Sequence, residues 1–221
     1  MKNNNELIFC PLGGSGEIGM NMNLYGYGEK NNHQWIIIDI GVGFVDDSVP
    51  GIDLMVPDPD FILQRKDDLL GILLTHAHED HIGAIALLWP SLECPIYATP
   101  FTATLIKEKF REKKINIGSH LKIIELNGNV KIGPFDINYV TLTHSILEPN
   151  ALQIKTPHGT LLHTGDWKCD TDPLIGKQMD EIKLKEIGKQ GVLAMICDST
   201  NIFTEGRSGS EKDVRESMLT V

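Results

Sequence analysis

The run Thr75-His76-Ala77-His78-Glu79-Asp80-His81 constrains this chain more than any other segment, because it crowds three imidazoles and two carboxylates into one turn. Burying such groups without partners costs several kcal/mol each, so a fold that gathers them must pair them or give them a metal. The run follows Leu70-Gly71-Ile72-Leu73-Leu74, which reads as a buried strand. It precedes Ile82 to Trp89, which reads as a helix packed on that strand. The cluster therefore belongs at a strand's carboxyl end, where open α/β sheets carry their sites. In extended chain, residues two apart point the same way, so His76 and His78 can face one ion. Asp80 and His81 then project from the helix's first turn toward a second position. Imidazole nitrogen and carboxylate oxygen favour zinc, with manganese or iron next, over calcium or magnesium.

Two further segments carry matching chemistry. Thr141-Leu142-Thr143-His144-Ser145 sets a histidine just beyond a strand, a third imidazole for the first ion. His163-Thr164-Gly165-Asp166 closes another strand, and Gly165 allows the turn that lets Asp166 bridge two ions. His163 lies on its strand and reads as packing beneath the ligands. His33, His120 and His158 read as turn residues without a role. The ligand set is then His76, His78, Asp80, His81, His144 and Asp166 for two divalent ions. The first site is complete with four ligands. The second has only Asp80, His81 and Asp166, so it either keeps a position for water or lacks a ligand that this chain does not contain.

With 221 residues, the chain can bury the core of one α/β domain. The four cysteines are scattered with no CxxC pair, which fits a reducing cytoplasm; Cys169 reads as a small buried filler. Nothing resembles a signal peptide or a membrane span. A net charge of −10 argues against a generic polyanion binder. Two bound divalent cations would offset about four of those charges locally. Lys107, Lys109, Arg111, Lys113 and Lys114 alternate with Glu108 and Glu112 and read as a solvated helix face.

Strands are expected at Leu7–Pro11, Met22–Tyr27, Trp35–Asp39, Ile96–Ala98, around Phe135–Tyr139, at Ala151–Lys155, Thr160–Thr164 and Val192–Cys197. Helices are expected at Phe61–Asp68, Thr99–Lys114 and Asp180–Lys189, with a Pro/Asp-rich loop over Asp46–Asp60. Paired strands with interspersed helices suggest an αββα-like sandwich. Ser210-Glu211-Lys212-Asp213 starts a last helix, and the sequence stops soon after, as if inside an element.

Gly14-Ser15-Gly16-Glu17-Ile18-Gly19 matches GxGxxG, and Asp39 follows about twenty residues later, the spacing of a dinucleotide fingerprint. That fingerprint needs a helix after the glycines. Here Met20–Gly28 alternates like a strand, so the segment reads as a tight glycine turn near the site.

The motif H-x-H-x-D-H is similar to the signature of the metallo-β-lactamase superfamily. Together with the stretch from Leu73 to Ala84 that holds this motif, Pro11-Leu12-Gly13-Gly14-Ser15-Gly16-Glu17-Ile18-Gly19-Met20-Asn21, Ile38-Asp39-Ile40-Gly41, Val49-Pro50-Gly51-Ile52-Asp53-Leu54, Thr143-His144-Ser145-Ile146, His163-Thr164-Gly165-Asp166 and Cys197-Asp198-Ser199-Thr200-Asn201 resemble the ribonuclease J family of its β-CASP branch. The resemblance implies a metallo-β-lactamase αββα sandwich, incomplete at the carboxy terminus, over residues 1–203, and a truncated start of the β-CASP region over 204–221. It implies a cytoplasmic, metal-dependent ribonuclease with 5′-to-3′ exonuclease and endonuclease activity, using a metal-activated water on single-stranded RNA with a 5′ monophosphate. Asp80 would serve catalysis as well as the metal, and Asp39 would support the ligand loop. Asp198 would match the acidic residue that orients a histidine further along; its bland alternative is a strand-end turn. A final metal-ligand histidine and much of the RNA channel should follow residue 221, as should the contacts of a homo-oligomer. The isolated chain is then expected to have little activity. The alternatives are a small-molecule thioesterase or lactonase of the same fold, and a binding domain that has lost catalysis.

Overall fold

The computed structural model describes residues 4–44 and 51–220. Strands β1 (Asn5–Gly13), β2 (Met22–Glu29) and β3 (Asn32–Ile38) form an antiparallel meander, and β4 (Gly43–Phe44) pairs with β5 (Leu54–Met55) as a small ribbon. After the single turn α1 (Asp60–Leu63) come β6 (Leu69–Leu73), α2 (Glu79–Ile82), α3 (Ile85–Leu92), β7 (Ile96–Ala98), α4 (Pro100–Glu112) and β8 (Leu121–Ile123). Then follow β9 (Asn129–Ile132), β10 (Phe135–Thr141), β11 (Asn150–Thr156), β12 (Gly159–His163), α5 (Glu181–Gln190), β13 (Ala194–Ile196) and α6 (Glu211–Met218). One sheet has the order β1-β2-β3-β6-β7-β8 and the other β13-β12-β11-β10-β9.

The sequence pattern explains the layering. In β10, Phe135, Ile137 and Tyr139 are buried while Asp136 and Asn138 between them are half-buried, so one face points inward. Those residues meet Tyr25, Ile36, Ile38 and Leu73 between the sheets. In β3 the apolar run is continuous because both faces are covered: Trp35 and Ile37 turn toward α3 and α4. On the far side Ile187 of α5 packs against Val140, Leu142 and Ala151. The molecule is an αββα sandwich.

The structure departs from the sequence reading in detail. The expected helix over 61–68 is only α1 plus a 3-10 turn at Lys66–Asp68, because Arg65 leaves helical dihedrals (φ −130°). The Arg65 guanidinium instead lies 4.1 Å over the Phe61 ring. The expected helix from Ile82 to Trp89 is split into α2 and α3 at Gly83. A Cβ on Gly83 would meet the Glu79 carbonyl at 2.4 Å. β13 is shorter than its apolar run, and Leu193 just before this edge strand and Met195 within it are exposed. Residues 46–50 of the expected Pro/Asp-rich loop, with Val49 and Pro50, lie outside the described residues. The glycine-rich match is a loop between β1 and β2 with no helix after it, as its pattern predicts. Among the described residues, no helix is long and apolar enough to cross a membrane.

Candidate metal centre

The expected ligands follow the carboxyl ends of three strands, with Asp80 and His81 carried by α2 just after β6. The turn after β6 places His76 and His78, α2 places Asp80 and His81, β10 leads to His144, and β12 leads to Asp166. Two groups form, His76–His78–His144–Asp166 and Asp80–His81–Asp166, each with one candidate ligand atom per residue and all of these within 4.8 Å of one another. His78 Nδ1 lies 3.1 Å from His76 Nε2 and 3.1 Å from His144 Nε2. Ligand nitrogens about 2.0–2.1 Å from a tetrahedral ion stand about 3.3 Å apart, close to this spacing. Asp166 reaches both groups, with Oδ2 3.6 Å from His144 Nε2 and Oδ1 3.2 Å from His81 Nε2.

Asp39 organises the histidines from below. It is wholly buried, at φ 62°, just past the end of β3. Its Oδ1 accepts from the Thr75 amide (2.8 Å), and its Oδ2 accepts from the Thr75 hydroxyl (2.8 Å). His81 Nδ1 lies 2.7 Å from the same Oδ2. Because the Thr75 hydroxyl donates to Asp39, its oxygen accepts from His76 Nδ1, 3.0 Å away. The proton of His76 is thereby fixed on Nδ1, and Nε2 presents a bare lone pair to the cluster. One buried carboxylate sets the orientation of a histidine in each group.

The electrostatics divide the histidines. Burial, reinforced by the neighbouring imidazoles, drives the pKa of His76 far below the ordinary range. Burial also lowers those of His78 and His144, although Asp80 and Asp166 for the one, and Asp166 for the other, pull the opposite way. These three are neutral donors at pH 7. For His81, burial is outweighed by Asp39 and Asp166, which raise its pKa to about 10. Burial alone would raise Asp166, but its hydrogen bond from His81 and the surrounding imidazoles hold it low. Neutral imidazoles converging with an ionised carboxylate are the donor set of a zinc-type site, so the residues fit such an ion.

The remaining expected residues fall beside this centre. His163 is buried, its Nδ1 lies 2.8 Å from the Tyr25 hydroxyl, and burial lowers its pKa to about 4. Asp198 follows β13, and its Oδ1 accepts from the Thr200 amide (2.8 Å) and hydroxyl (2.7 Å), so it closes a local turn outside both groups. Cys169 is exposed, not a buried filler, because its loop runs over the surface. His33 sits in β3 beside Trp35, not in a turn. Lys109 leaves the solvated face of α4 to bind both carboxylate oxygens of Glu79, at 2.6 and 2.7 Å.

The pattern describing a beta-lactamase superfamily domain matches residues 34–185. The chain belongs to this superfamily. Over all 221 residues it is 47% identical to a protein named Ribonuclease J from Sinorhizobium meliloti, of which it covers 39%. It is 39% identical over 212 residues, 96% of the chain, to a Ribonuclease J from Helicobacter pylori, of which it covers 30%. The chain thus spans well under half the length of these curated relatives. A crystal structure of a protein of unknown function from Enterococcus faecalis V583 has a similar fold, with a TM-score of 0.61 at 18% identity over 97% of this chain and 56% of that one.

Sequence reasoning missed Thr75 and Asn21 as parts of this superfamily site. The signal for Thr75 was a hydroxyl beside the first histidine. Asn21 ends the glycine-rich loop, and its side-chain nitrogen lies 3.1 Å from the Asp80 carbonyl and 3.2 Å from His81 Nε2. Only the folded chain brings it across from β2.

Proposed function

We propose that the chain carries the di-metal hydrolytic centre of a ribonuclease J-like enzyme, which cleaves phosphodiester bonds of single-stranded RNA as a 5′-to-3′ exonuclease and endonuclease. The observation that carries this reading is the 47% identity along the whole chain to a protein of that name, joined to the convergence of all six expected ligand residues. His76, His78, His144 and Asp166 would hold one divalent ion, zinc first and manganese second, and Asp80, His81 and Asp166 would hold the other. Bound divalent ions supply an activated water at neutral pH and neutralise charge on phosphoryl oxygens.

The chain's own residues do the positioning. Asp39 and Thr75 hold the His76 and His81 rings with their Nε2 atoms facing the other candidate ligands. Asp80 and Asp166, each with 28% of its side chain exposed, form the open side on which substrate would arrive. The second group offers three ligands against four in the first, so this chain would hold its second ion weakly and act slowly on RNA. A 5′ monophosphate on the substrate, a cytoplasmic setting and a homo-oligomer of the longer protein belong to the same reading.

The test is a metal titration with an ion count per chain, run beside turnover of 5′-monophosphorylated RNA and a panel of thioesters and lactones. One tight ion, one weak ion, and slow RNA cleavage that rises with added metal and is lost in His76→Ala are expected. Two tight ions with rapid cleavage would overturn the weak second site. Thioester or lactone turnover with RNA left intact would overturn the substrate assignment.

A further inference from the structure

Asp166 and His144 sit on separate loops, and one residue ties the two together. The Lys168 amide donates to the Thr143 carbonyl at 2.8 Å, and the Thr143 hydroxyl donates back to the Lys168 carbonyl at 2.5 Å. Thr143 precedes His144 directly, and Lys168 lies two residues after Asp166. This reciprocal pair fixes how far apart the two ligands stand.

The side chain of Lys168 runs the other way, to α6. Its ammonium lies 3.1 Å from Asp170 Oδ2 and 3.3 Å from Glu211 Oε1. Asp170, whose side chain is wholly buried, accepts the Glu211 amide on Oδ2 and the Asp172 amide on Oδ1, both at 2.9 Å. Glu211 Oε2 accepts the Leu174 amide at 2.8 Å. Ser210 and Asp213 form a capping box at the start of α6, yet no residue of this helix is buried. The helix is therefore seated by its first-turn polar contacts and not by an apolar face. Elements attached this way open at low free energy.

We propose that Lys168, Asp170 and Glu211 form a latch through which the seating of α6 sets the separation of His144 and Asp166, and with it the retention of the first ion. All three are positioning residues; none touches the ion. The inference rests on the reading of His144 and Asp166 as metal ligands. Coupling of this kind is reciprocal, so the ion must also hold α6 in its seat.

The experiment compares the chain with Lys168→Met, Lys168→Arg and Glu211→Gln, and with Lys185→Ala as a control on α5. Zinc affinity is read by competition with a chromophoric chelator, and amide hydrogen exchange is followed with and without zinc. Lys168→Met and Glu211→Gln should each weaken the first ion about tenfold, as loss of outer contacts to ligands commonly does. Lys168→Arg should restore most of that loss, and Lys185→Ala should change nothing. Zinc should slow exchange of the Leu174 and Glu211 amides in the wild type but not in Lys168→Met, a readout that a merely structural role would not move. Unchanged affinity in both variants, or zinc-independent exchange at those amides in the wild type, would overturn the latch while leaving the metal site standing. A wild-type chain that binds no zinc would overturn the metal reading and the latch with it.

Discussion

Asp39→Asn is the sharpest perturbation of this centre, because it removes a charge and reverses a hydrogen bond while preserving shape. In the metal-free chain the buried His81 imidazolium is held between Asp39 and Asp166, which raise its pKa from 6.5 to about 10 against the effect of burial. A rise of that size corresponds to about 5 kcal/mol of stability. Asp166 survives in the variant and keeps part of that effect, while the charge of Asp39 is the largest single contribution raising the pKa. Breaking one side of a buried ion pair costs about 3–5 kcal/mol by an independent measure. The expected loss is therefore about 3–5 kcal/mol, or roughly 6–20 °C in Tm for a domain of this size.

The sign follows from the raised pKa. The contribution is whole below pH 6.5, declines above it, and is gone once pH rises through about 10. Urea unfolding with chelator present at several pH values reads this directly, as a gap between wild type and variant that is widest at pH 6 and closes toward pH 10. The asparagine also turns a donor toward Thr75 Oγ1 and His81 Nδ1, which frees the Thr75 hydroxyl to donate to His76 and shifts the His76 proton to Nε2. Metal affinity should then fall by about 10–100-fold. A gap under about 1 kcal/mol at pH 6, or one equal at pH 6 and pH 10, would mean that Asp39 does not hold a buried His81 imidazolium.

Three other outcomes follow from the geometry. Gly41→Ala would set a Cβ 1.5 Å from the Asp80 carbonyl oxygen, so the ligand turn must shift, costing at least the upper end of about 1–3 kcal/mol; a wild-type melting curve and metal titration would contradict this. Filling the Asp80–His81–Asp166 group at pH 7 should release about one proton, from His81, while the neutral histidines of the other group release none; calorimetry in buffers of different ionisation enthalpy counts it. With a thiol-reactive disulfide, exposed Cys169 should react first, and Cys94, whose pKa burial raises to about 12, only after denaturation.

The ligands were legible because each is a hydrophilic interruption at the end of an apolar run, and that contrast survives in one dimension. His76, His144 and Asp166 all follow this rule, and so does the alternation in β10 that orients the second sheet. The helix at 61–68 failed for the opposite reason. Its periodicity was adequate, but Arg65 finds a better partner in the Phe61 ring and carbonyl than in a helical continuation. Thr75, Asn21 and Lys168 were invisible because their roles are pairings across 36, 59 and 25 residues, to Asp39, Asp80 and Thr143 respectively. No local propensity encodes such distances.

Those unread residues decide what the legible ones can do. Histidines brought to one place would otherwise protonate, repel one another or turn a protonated nitrogen inward. Asp39 fixes two rings through one carboxylate: directly at His81, which it holds as an imidazolium until an ion displaces the proton, and through Thr75 at His76, whose Nε2 stays unprotonated. The carboxylate is wholly buried, so its charge is little screened by solvent, and it is answered by the His81 proton and by the Thr75 amide and hydroxyl. Orientation of the donors is thus enforced by the core, before any ion arrives. The same logic accounts for Gly41, whose missing side chain lets the backbone after Asp39 lie against the Asp80 carbonyl, with the Ile40 amide donating to the His81 carbonyl at 2.8 Å. The candidate ligand turn and its buried anchor are one folded unit, and a change at either end must be felt at the candidate metal site.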